Sequence, residues 1–210
     1  MHGDGAIVQT RWWLGDCLTE LGEHRAAAEH WLRAADVARH WPEQRDHAML
    51  AHLAAEALGH AELPAQAEQA YARAGDLWRD LGNVHGLIRS LRARAWVALR
   101  TDSGPDGARE SMAAAVRECE EGLRAVSSSV GAEAVEASDA VAGSDAPEGS
   151  DAPEGSDAAE RRHRLVAELG HTHRQFGDLI ARAVPDDAQE ALAHYTRAIS
   201  VFASLGDDAL

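Results

Sequence analysis

Histidine, cysteine and carboxylate side chains are the groups in this sequence that could bind a metal ion or carry out catalysis. The chain has twelve histidines, but none of them are three or four residues apart, the spacing that places two ligands on one face of a helix. The closest pairs are His171 with His173, and His47 with His52. Because neither pair has an evident third ligand, we expect exposed or packing histidines and no metal site.

The cysteines and carboxylates do not form a catalytic pattern either. Cys17 and Cys119 have no motif around them, so we expect reduced thiols. Because Cys17 lies next to the packing stripe of its helix, we expect its thiol to be inert and buried or half-buried. The paired acids Asp186 and Asp187 stand at a helix start, where they complement the helix dipole. The sequence lacks a Gly-x-Ser-x-Gly turn, a His-Glu-x-x-His motif and a Gly-rich phosphate loop. We therefore predict a protein that is not an enzyme.

The charged residues exclude further classes of function. All 20 positively charged residues are arginine, so the chain has no lysine for a phosphate loop or a Schiff base, and we expect no cofactor. A net charge of −15 argues against nucleic-acid binding, which needs a basic face. The apolar runs are too short for a membrane span and no secretion signal is evident. We predict a cytoplasmic protein without nucleic-acid or membrane partners. The arginine preference, with abundant alanine and glycine, suggests a bacterial source.

The elements that position these residues are predicted to be helices. Alanine, leucine and arginine dominate the periodic segments, and runs of β-branched residues are nearly absent, which indicates an all-α fold. Apolar spacing, with Gly22 and Gly59 as caps and Pro42 as a stop, divides the chain into helices. The predicted helices cover residues 4–21, 25–40, 44–58, 63–81, 84–100, 107–126, 160–184 and 186–206.

One pattern recurs four times: an alanine, a bulky side chain four residues later, and another alanine three residues after that. The four copies are Ala27, Trp31 and Ala34; Ala67, Tyr71 and Ala74; Ala108, Met112 and Ala115; and Ala191, Tyr195 and Ala198. The first two intervals are 40 and 41 residues, a period that two helices and two short turns fill. This pattern predicts four stacked helix pairs, with the small residues on the second helix of each pair.

An acidic segment interrupts the repeats. Residues 127–157 consist almost wholly of Ser, Gly, Ala, Val, Asp, Glu and Pro, and they contain near-copies of Gly-Ser-Asp-Ala-Pro-Glu. From 127 to 160 the chain has nine acids and no arginine. Such a composition has too little apolar surface to offset the entropy of ordering. We therefore predict three helix pairs over 1–126, a disordered linker over 127–157, and a fourth pair over 158–210.

These units resemble tetratricopeptide repeats, a family of antiparallel helix pairs stacked into a right-handed superhelix. The family places a Leu-Gly pair and then an aromatic residue on the first helix. The counterparts are Leu14-Gly15 and Leu18 in unit one, Ala54-Ala55 and Leu58 in unit two, and Ala95-Trp96 and Leu99 in unit three. Either Ala95 takes the small-residue position that Trp96 occupies in this register, or the junction is splayed. The units exceed the family's usual 34 residues, and repeats of the HEAT kind are the alternative.

Unit four matches the family pattern on its second helix only. Its Leu169-Gly170 pair lies 22 residues before Ala191, whereas Leu14 lies 13 before Ala27. Either the first helix of this unit is lengthened or the pair is not equivalent. The end of the chain, 205–210, also parallels the residues that precede the fifth helix, but no helix follows. We therefore expect a fragment or a terminal part of a longer array, whose uncapped ends can self-associate.

The resemblance implies that a partner binds on the concave face formed by the first helices. The positions that would line it are Gln9, Trp12, Asp16, Glu20, Met49, His52, Glu56, His60, Val97 and Arg100, with Arg164, His171 and Arg174 as looser equivalents in unit four. Trp12 is the expected anchor, although packing against a preceding helix would explain it equally. The Lys and Asn with which chaperone-binding members hold a peptide carboxylate are missing there, so we do not expect that clamp.

We predict a non-enzymatic scaffold that binds a protein or peptide. The alternative from another class is a sensor or regulatory segment of a larger signalling or transcription regulator, and a metal-dependent hydrolase ranks third.

Overall fold

The computed structural model describes the backbone of residues 2–140 and 154–207, and the side chains of residues 4–129 and 157–206. Within these ranges the chain forms eight α-helices and a single 3-10 turn at Pro185–Asp187, without strands. The helices are α1 (His2–Glu20), α2 (His24–Ala38), α3 (Gln44–His60), α4 (Pro64–Asp80), α5 (Val84–Ala98), α6 (Gly104–Ala140), α7 (Glu154–Ala183) and α8 (Ala188–Asp207). The all-α prediction is confirmed, and α1 to α5 begin and end within two residues of their predicted bounds.

Successive helices pack against each other along the whole array. Each helix contacts the next one in the sequence, and in addition α3 contacts α5 and α5 contacts α7. These contacts, together with a pocket that α1 and α3 both line, place the first helices of the pairs (α1, α3, α5 and α7) on one side of the molecule, which we call the first-helix layer. This arrangement confirms the prediction of stacked helix pairs.

The repeated alanines hold the second helices close to their neighbours. All eight alanines are buried with at most 4 % of their surface exposed, and six of them are fully buried. The bulky residues Trp31, Tyr71 and Met112 between them are also buried, while Tyr195 is half-buried. A methyl group is thus the largest side chain that fits where two helix backbones approach.

Glycines on the first helices make room for aromatic rings of the second helices. A Cβ atom on Gly15 would lie 2.3 Å from the ring nitrogen of Trp31, and one on Gly177 would lie 2.8 Å from the ring of Tyr195. Both distances are far below van der Waals contact, so a larger residue would displace the ring. Gly177, rather than Gly170, is therefore the counterpart of Gly15 in unit four, and the Leu169-Gly170 pair is not equivalent to Leu14-Gly15.

Three turns have the same length and the same hydrogen bonds. They follow α1, α3 and α4, and in each the last turn residue donates its N–H to the carbonyl five residues earlier, at 2.8–3.0 Å. This Schellman motif needs one residue in the left-handed region, which is Gly22 (φ 78°), Glu62 (φ 58°) or Gly82 (φ 65°). The prediction that Gly59 caps α3 is wrong: Gly59 lies inside the helix, and Glu62 takes the left-handed position.

The third unit adopts the shifted register. Ala95 is fully buried, so it occupies the small-residue position, and the splayed junction is excluded. Trp96 is half-buried at the rim, where the guanidinium of Arg182 lies 5.3 Å from the centre of its ring. A cation over an indole face at this distance is a favourable contact.

The helices α6 and α7 extend into the segment predicted to be disordered. Helical backbone continues through residues 127–140 and begins again at Glu154, so the predicted linker bounds of 127 and 157 do not coincide with the helix ends. The stretch 132–137 (Ala-Glu-Ala-Val-Glu-Ala) has high helix propensity without Gly or Pro, which accounts for the continuation. The prediction for 141–153 lies outside the described residues.

None of the helices in the described ranges combines the length and the hydropathy that a membrane-spanning helix needs.

Candidate partner-binding surface

The first-helix layer has a concavity at the junction of α1, α2 and α3. This acidic pocket has a volume of about 320 Å³, and Asp16, Glu20, Glu56 and His60 line it. Its other walls include Thr19, His24, Trp31 and Leu53. Four residues predicted from the sequence to contact a partner are thus brought together, although 44 positions separate the first of them from the last.

Burial and ring packing shape the acidic pocket. Partial burial raises the pKa of Asp16, because a carboxylate loses hydration there. The imidazole rings of His24 and His60 lie 5.1 Å apart between their centres. His24 was not predicted as a site residue, because it begins α2 and only the turn after α1 brings it beside α3. The pocket therefore combines three carboxylates with two imidazoles over an apolar floor.

A second concavity adjoins the first and extends it towards α5. This middle pocket has a volume of about 270 Å³ and shares Glu56 and His60 with the acidic pocket. On the α5 side the predicted residues Val97 and Arg100 line it, together with Trp96. The Arg100 guanidinium donates to the Gly59 carbonyl oxygen at 3.4 Å. The predicted positions on α3 and α5 thus face one continuous space.

A third concavity lies between the amino-terminal halves of α3 and α5. This basic pocket has a volume of about 240 Å³, and its lining includes Arg45, Arg89, Arg92 and His85, with Glu168 of α7 as its acid. The predicted residues Met49 and His52 also line it, together with Trp78, Asn83 and Gly86. The arginines were not predicted: Arg45 is not among the positions that the resemblance assigns to the concave face, and Arg89 and Arg92 become the counterparts of Met49 and His52 only in the shifted register of unit three.

His52 lies at the base of the basic pocket rather than on the open surface. Only 3 % of its surface is exposed, and its Nδ1 lies 2.9 Å from the Ser90 Oγ. The Ser90 hydroxyl donates to the Gly86 carbonyl oxygen at 2.9 Å, so the imidazole donates to Ser90. Burial, with a contribution from Arg89, lowers the pKa of His52 to about 4. The ring is therefore neutral near pH 7 and packs the two helices together.

An ion pair connects the acidic and basic pockets. The Arg89 guanidinium lies 3.7 Å from the Glu56 carboxylate, and both side chains are exposed by about half. At this distance the pair is longer than a charge-assisted hydrogen bond. Deeper in the basic pocket, Arg92 is held by Glu168 at 2.7 Å and lies 3.4 Å from the Thr172 hydroxyl. One arginine is thus fixed, while Arg89 is only loosely held.

Two predicted residues of α1 lie outside these pockets. Gln9 is exposed. Trp12 is half-buried, packs against the core of the first two helix pairs, and its carbonyl oxygen accepts a hydrogen bond from the Trp31 indole at 3.3 Å. Trp12 therefore contributes to packing within α1 and α2.

The three predicted residues of unit four also lie apart from the pockets. Arg164 and Arg174 are exposed on α7 and form ion pairs within that helix, with Glu160 and Asp178. His171 is exposed and packs edge-on against Phe202 of α8. In contrast to these three residues, Glu168 of α7 lines the basic pocket.

A further concavity lies away from the predicted positions. It has a volume of about 450 Å³ and is enclosed by α2, α3 and α4, with Leu32, Asp36, His47 and Arg73 among its lining residues. No residue of this outer pocket was predicted as a site residue.

The two cysteines and a pair of facing histidines lie outside the pockets described above. Cys17 is exposed, so the expectation that it is buried or half-buried is wrong. Cys119 is fully buried near the Thr172 hydroxyl, and burial raises the pKa of its thiol to about 11. His173 and His194, on α7 and α8, bring their Nδ1 atoms within 3.0 Å. Within the described residues, no three potential ligands lie together in a way that could hold a metal ion.

Comparisons with known proteins show no family for this chain. No protein-family model and no curated protein matches the sequence. Among solved structures, the chain is similar to BtubC (BKLC) from P. vanneervenii, with 17 % identity and a TM-score of 0.46 over 97 % of this chain and 82 % of that one. This likeness is too weak to support a functional argument. The resemblance to tetratricopeptide repeats stays a prediction.

Proposed function

We propose that this chain is a non-catalytic scaffold of the tetratricopeptide type that binds a peptide segment of a partner protein along α3. The proposal rests on three pockets of the first-helix layer that follow one another along α3, from Arg45 to His60. These 15 helical steps correspond to about 22 Å. An extended peptide rises about 3.3 Å per residue, so the run fits about six or seven residues.

The packing of the helices supports a preformed site. The pockets lie between helices whose close approach is fixed by buried alanines such as Ala54 and Ala95. A rigid surface loses little conformational entropy on binding, which favours affinity for a flexible peptide. The polar linings, with both signs of charge over apolar floors, suit a peptide better than an apolar small molecule. The proposal includes a cytoplasmic location and no catalytic step.

Photo-crosslinking from defined positions tests this proposal. We would incorporate benzoylphenylalanine at His60, which lines both the acidic and middle pockets, and separately at Arg73, which lines the outer pocket. After irradiation in native-cell extract, we expect discrete protein adducts from the His60 position and not from the Arg73 position. Adducts from Arg73 alone, or none from either position, would contradict binding on the first-helix layer.

A further inference from the structure

The basic pocket differs in charge from the protein that contains it. The whole chain has a net charge of −15, yet three arginines converge here from α3 and α5 against a single lining acid, Glu168. Positive charges that line one pocket repel one another, and an anion between them relieves this repulsion. The ion pairs within the protein therefore leave part of this local positive charge unbalanced.

The three guanidinium groups differ in how firmly they are held. Arg92 is fixed, because Glu168 and Thr172 both contact it and only 14 % of its side chain is exposed. Arg89 has only the long, exposed contact with Glu56. Arg45 forms no ion pair with an acidic group in the described part of the chain. Arg45 and Arg89 therefore have donors available at opposite walls of the pocket, on α3 and α5.

The pocket also offers apolar contact beside its charge. Met49 is half-buried on the α3 side, and Trp78 of α4, almost fully buried, also lines the pocket. A volume of about 240 Å³ holds one or two amino-acid side chains. Guanidinium groups match a planar carboxylate through paired N–H donors. These dimensions fit an Asp or Glu side chain next to an apolar residue, and the overall negative charge of the chain disfavours a polyanion such as nucleic acid.

We propose that the basic pocket binds an acidic segment of a partner protein, with a carboxylate held by Arg45 and Arg89. This inference rests on the scaffold function proposed above and specifies its ligand. It differs from the lysine and asparagine clamp that we do not expect from the sequence, since arginines provide the donors. Arg92 positions the wall of the pocket through Glu168, and Met49 contacts the neighbouring apolar side chain.

Peptide binding with charge-matched variants tests the pocket. The probe is a fluorescein-labelled dodecapeptide with three copies of Gly-Glu-Leu-Glu, and its counterpart has Gln in place of every Glu. We expect the acidic peptide to bind the intact chain at least tenfold more tightly than the Gln peptide. The double variant Arg45→Gln/Arg89→Gln should lose at least tenfold in affinity for the acidic peptide, about 1.4 kcal/mol.

A matched control separates the pocket from general electrostatics. The double variant Arg25→Gln/Arg33→Gln has the same net charge, but both of its exposed substitutions lie on α2. We expect it to bind like the unaltered chain. Equal losses in the two double variants would overturn the pocket assignment, and circular dichroism would verify that both are folded.

Further arms identify the source and the chemistry of the ligand. Tenfold tighter binding of a phosphoserine version of the probe than of the Glu version would overturn the carboxylate assignment. Binding that appears only after residues 141–153 are replaced by a Gly/Ser linker would overturn a partner ligand in favour of the chain's own acidic repeat. The two proposals can fail separately. If crosslinking from the His60 position still gives adducts in the Arg45→Gln/Arg89→Gln variant, and the intact chain does not prefer the acidic peptide to the Gln peptide, the scaffold proposal stands and this inference fails.

Discussion

The acidic and basic pockets are built from the same repeated helices but have opposite charge. The acidic pocket uses the carboxyl-terminal halves of α1 and α3, with Asp16, Glu20 and Glu56. The basic pocket uses the amino-terminal halves of α3 and α5, with Arg45 and Arg89. Both rest on the same kind of floor, because buried small residues set the distance between helices in each pair. The difference therefore lies in surface residues that packing does not constrain.

This comparison teaches that a repeat scaffold separates its structural residues from its binding residues. The alanines of the second helices recur in all four units and are buried in all of them. On the first helices, by contrast, corresponding positions change from Asp16 to Glu56 to Trp96. Recurrence thus marks the packing positions, and the positions that vary between units decide what each pocket can bind. Four experiments test this separation, and their expected effects decrease in the order given.

The largest effect should come from a shared packing position. Ala67 is fully buried on α4, the helix that packs against both α3 and α5, so Ala67→Leu should lower the free energy of unfolding by about 1–3 kcal/mol through overpacking. Ala65→Leu, an exposed position on the same helix, is the matched control and should change it by less than about 0.5 kcal/mol. Urea titration measures both. A neutral Ala67→Leu would show that the repeat register is wrong.

Acidification should weaken the protein through the base of the basic pocket. The folded-state pKa of His52 is about 4, below its ordinary 6.5, so between these values the unfolded chain binds a proton that the folded chain does not. The contribution of the neutral His52 side chain to the free energy of unfolding is complete above about pH 6.5 and is lost as the pH falls towards 4. Between pH 7 and 4.5, we expect the chain to lose about 2 kcal/mol more than the His52→Asn variant.

The His52→Asn variant keeps a donor for Ser90 and removes the titrating group. His194, whose pKa burial also lowers to about 4, remains in both proteins, so its contribution cancels in the difference. Urea midpoints measured across this pH range would test the effect. Parallel stability curves for the two proteins would contradict a buried, neutral His52.

A smaller gain is expected at the turn that separates the acidic pocket from α4. Glu62 has a left-handed backbone conformation that glycine adopts in the equivalent turns at Gly22 and Gly82. Glu62→Gly should raise the free energy of unfolding by up to about 1 kcal/mol, because it relieves the Cβ strain. Gly82→Ala should lower it by about the same amount. Thermal unfolding would detect both changes. A loss of stability in Glu62→Gly, or a gain in Gly82→Ala, would contradict a shared turn geometry.

The smallest effect should come from the ion pair that joins the two pockets. Glu56 and Arg89 are exposed and 3.7 Å apart, so Arg89→Ala should change the free energy of unfolding by less than about 0.5 kcal/mol. The same titration applied to Glu56→Gln should give an equally small change. A loss above about 1 kcal/mol in either variant would mean that the pocket charges stabilise the fold, and the separation of packing from binding residues would then fail.

Much of the fold could be predicted from the sequence, and less of the surface. The apolar period and the helix breakers located α1 to α5 within two residues, because these signals act over one or two helical turns. The helical ends of 127–157 were missed, since composition averaged over the segment concealed the Ala- and Glu-rich stretch at 132–137. The Gly59 cap was also wrong, because Glu62 tolerates a strained conformation that the residue type does not suggest.

The candidate surface was predicted in part for a similar reason. The repeat register assigned Asp16, Glu20, Glu56 and His60 to one face, and the structure places all four around one pocket. It could not show that His52 is buried by Ser90 or that Gly177 sets the register of α7, since both depend on the side chain of a facing helix.

The sequence by itself thus determined the helices, the small positions at which they approach and the side on which first helices lie, because helix propensity and periodicity are local properties of the chain. Only the tertiary structure decided which charges meet. Arg45 and Arg89 come from different helices and are 44 positions apart in the sequence, and Glu168 of α7 lines the same pocket. Electrostatic interactions depend on distance in space, which the register of the stacked helices sets.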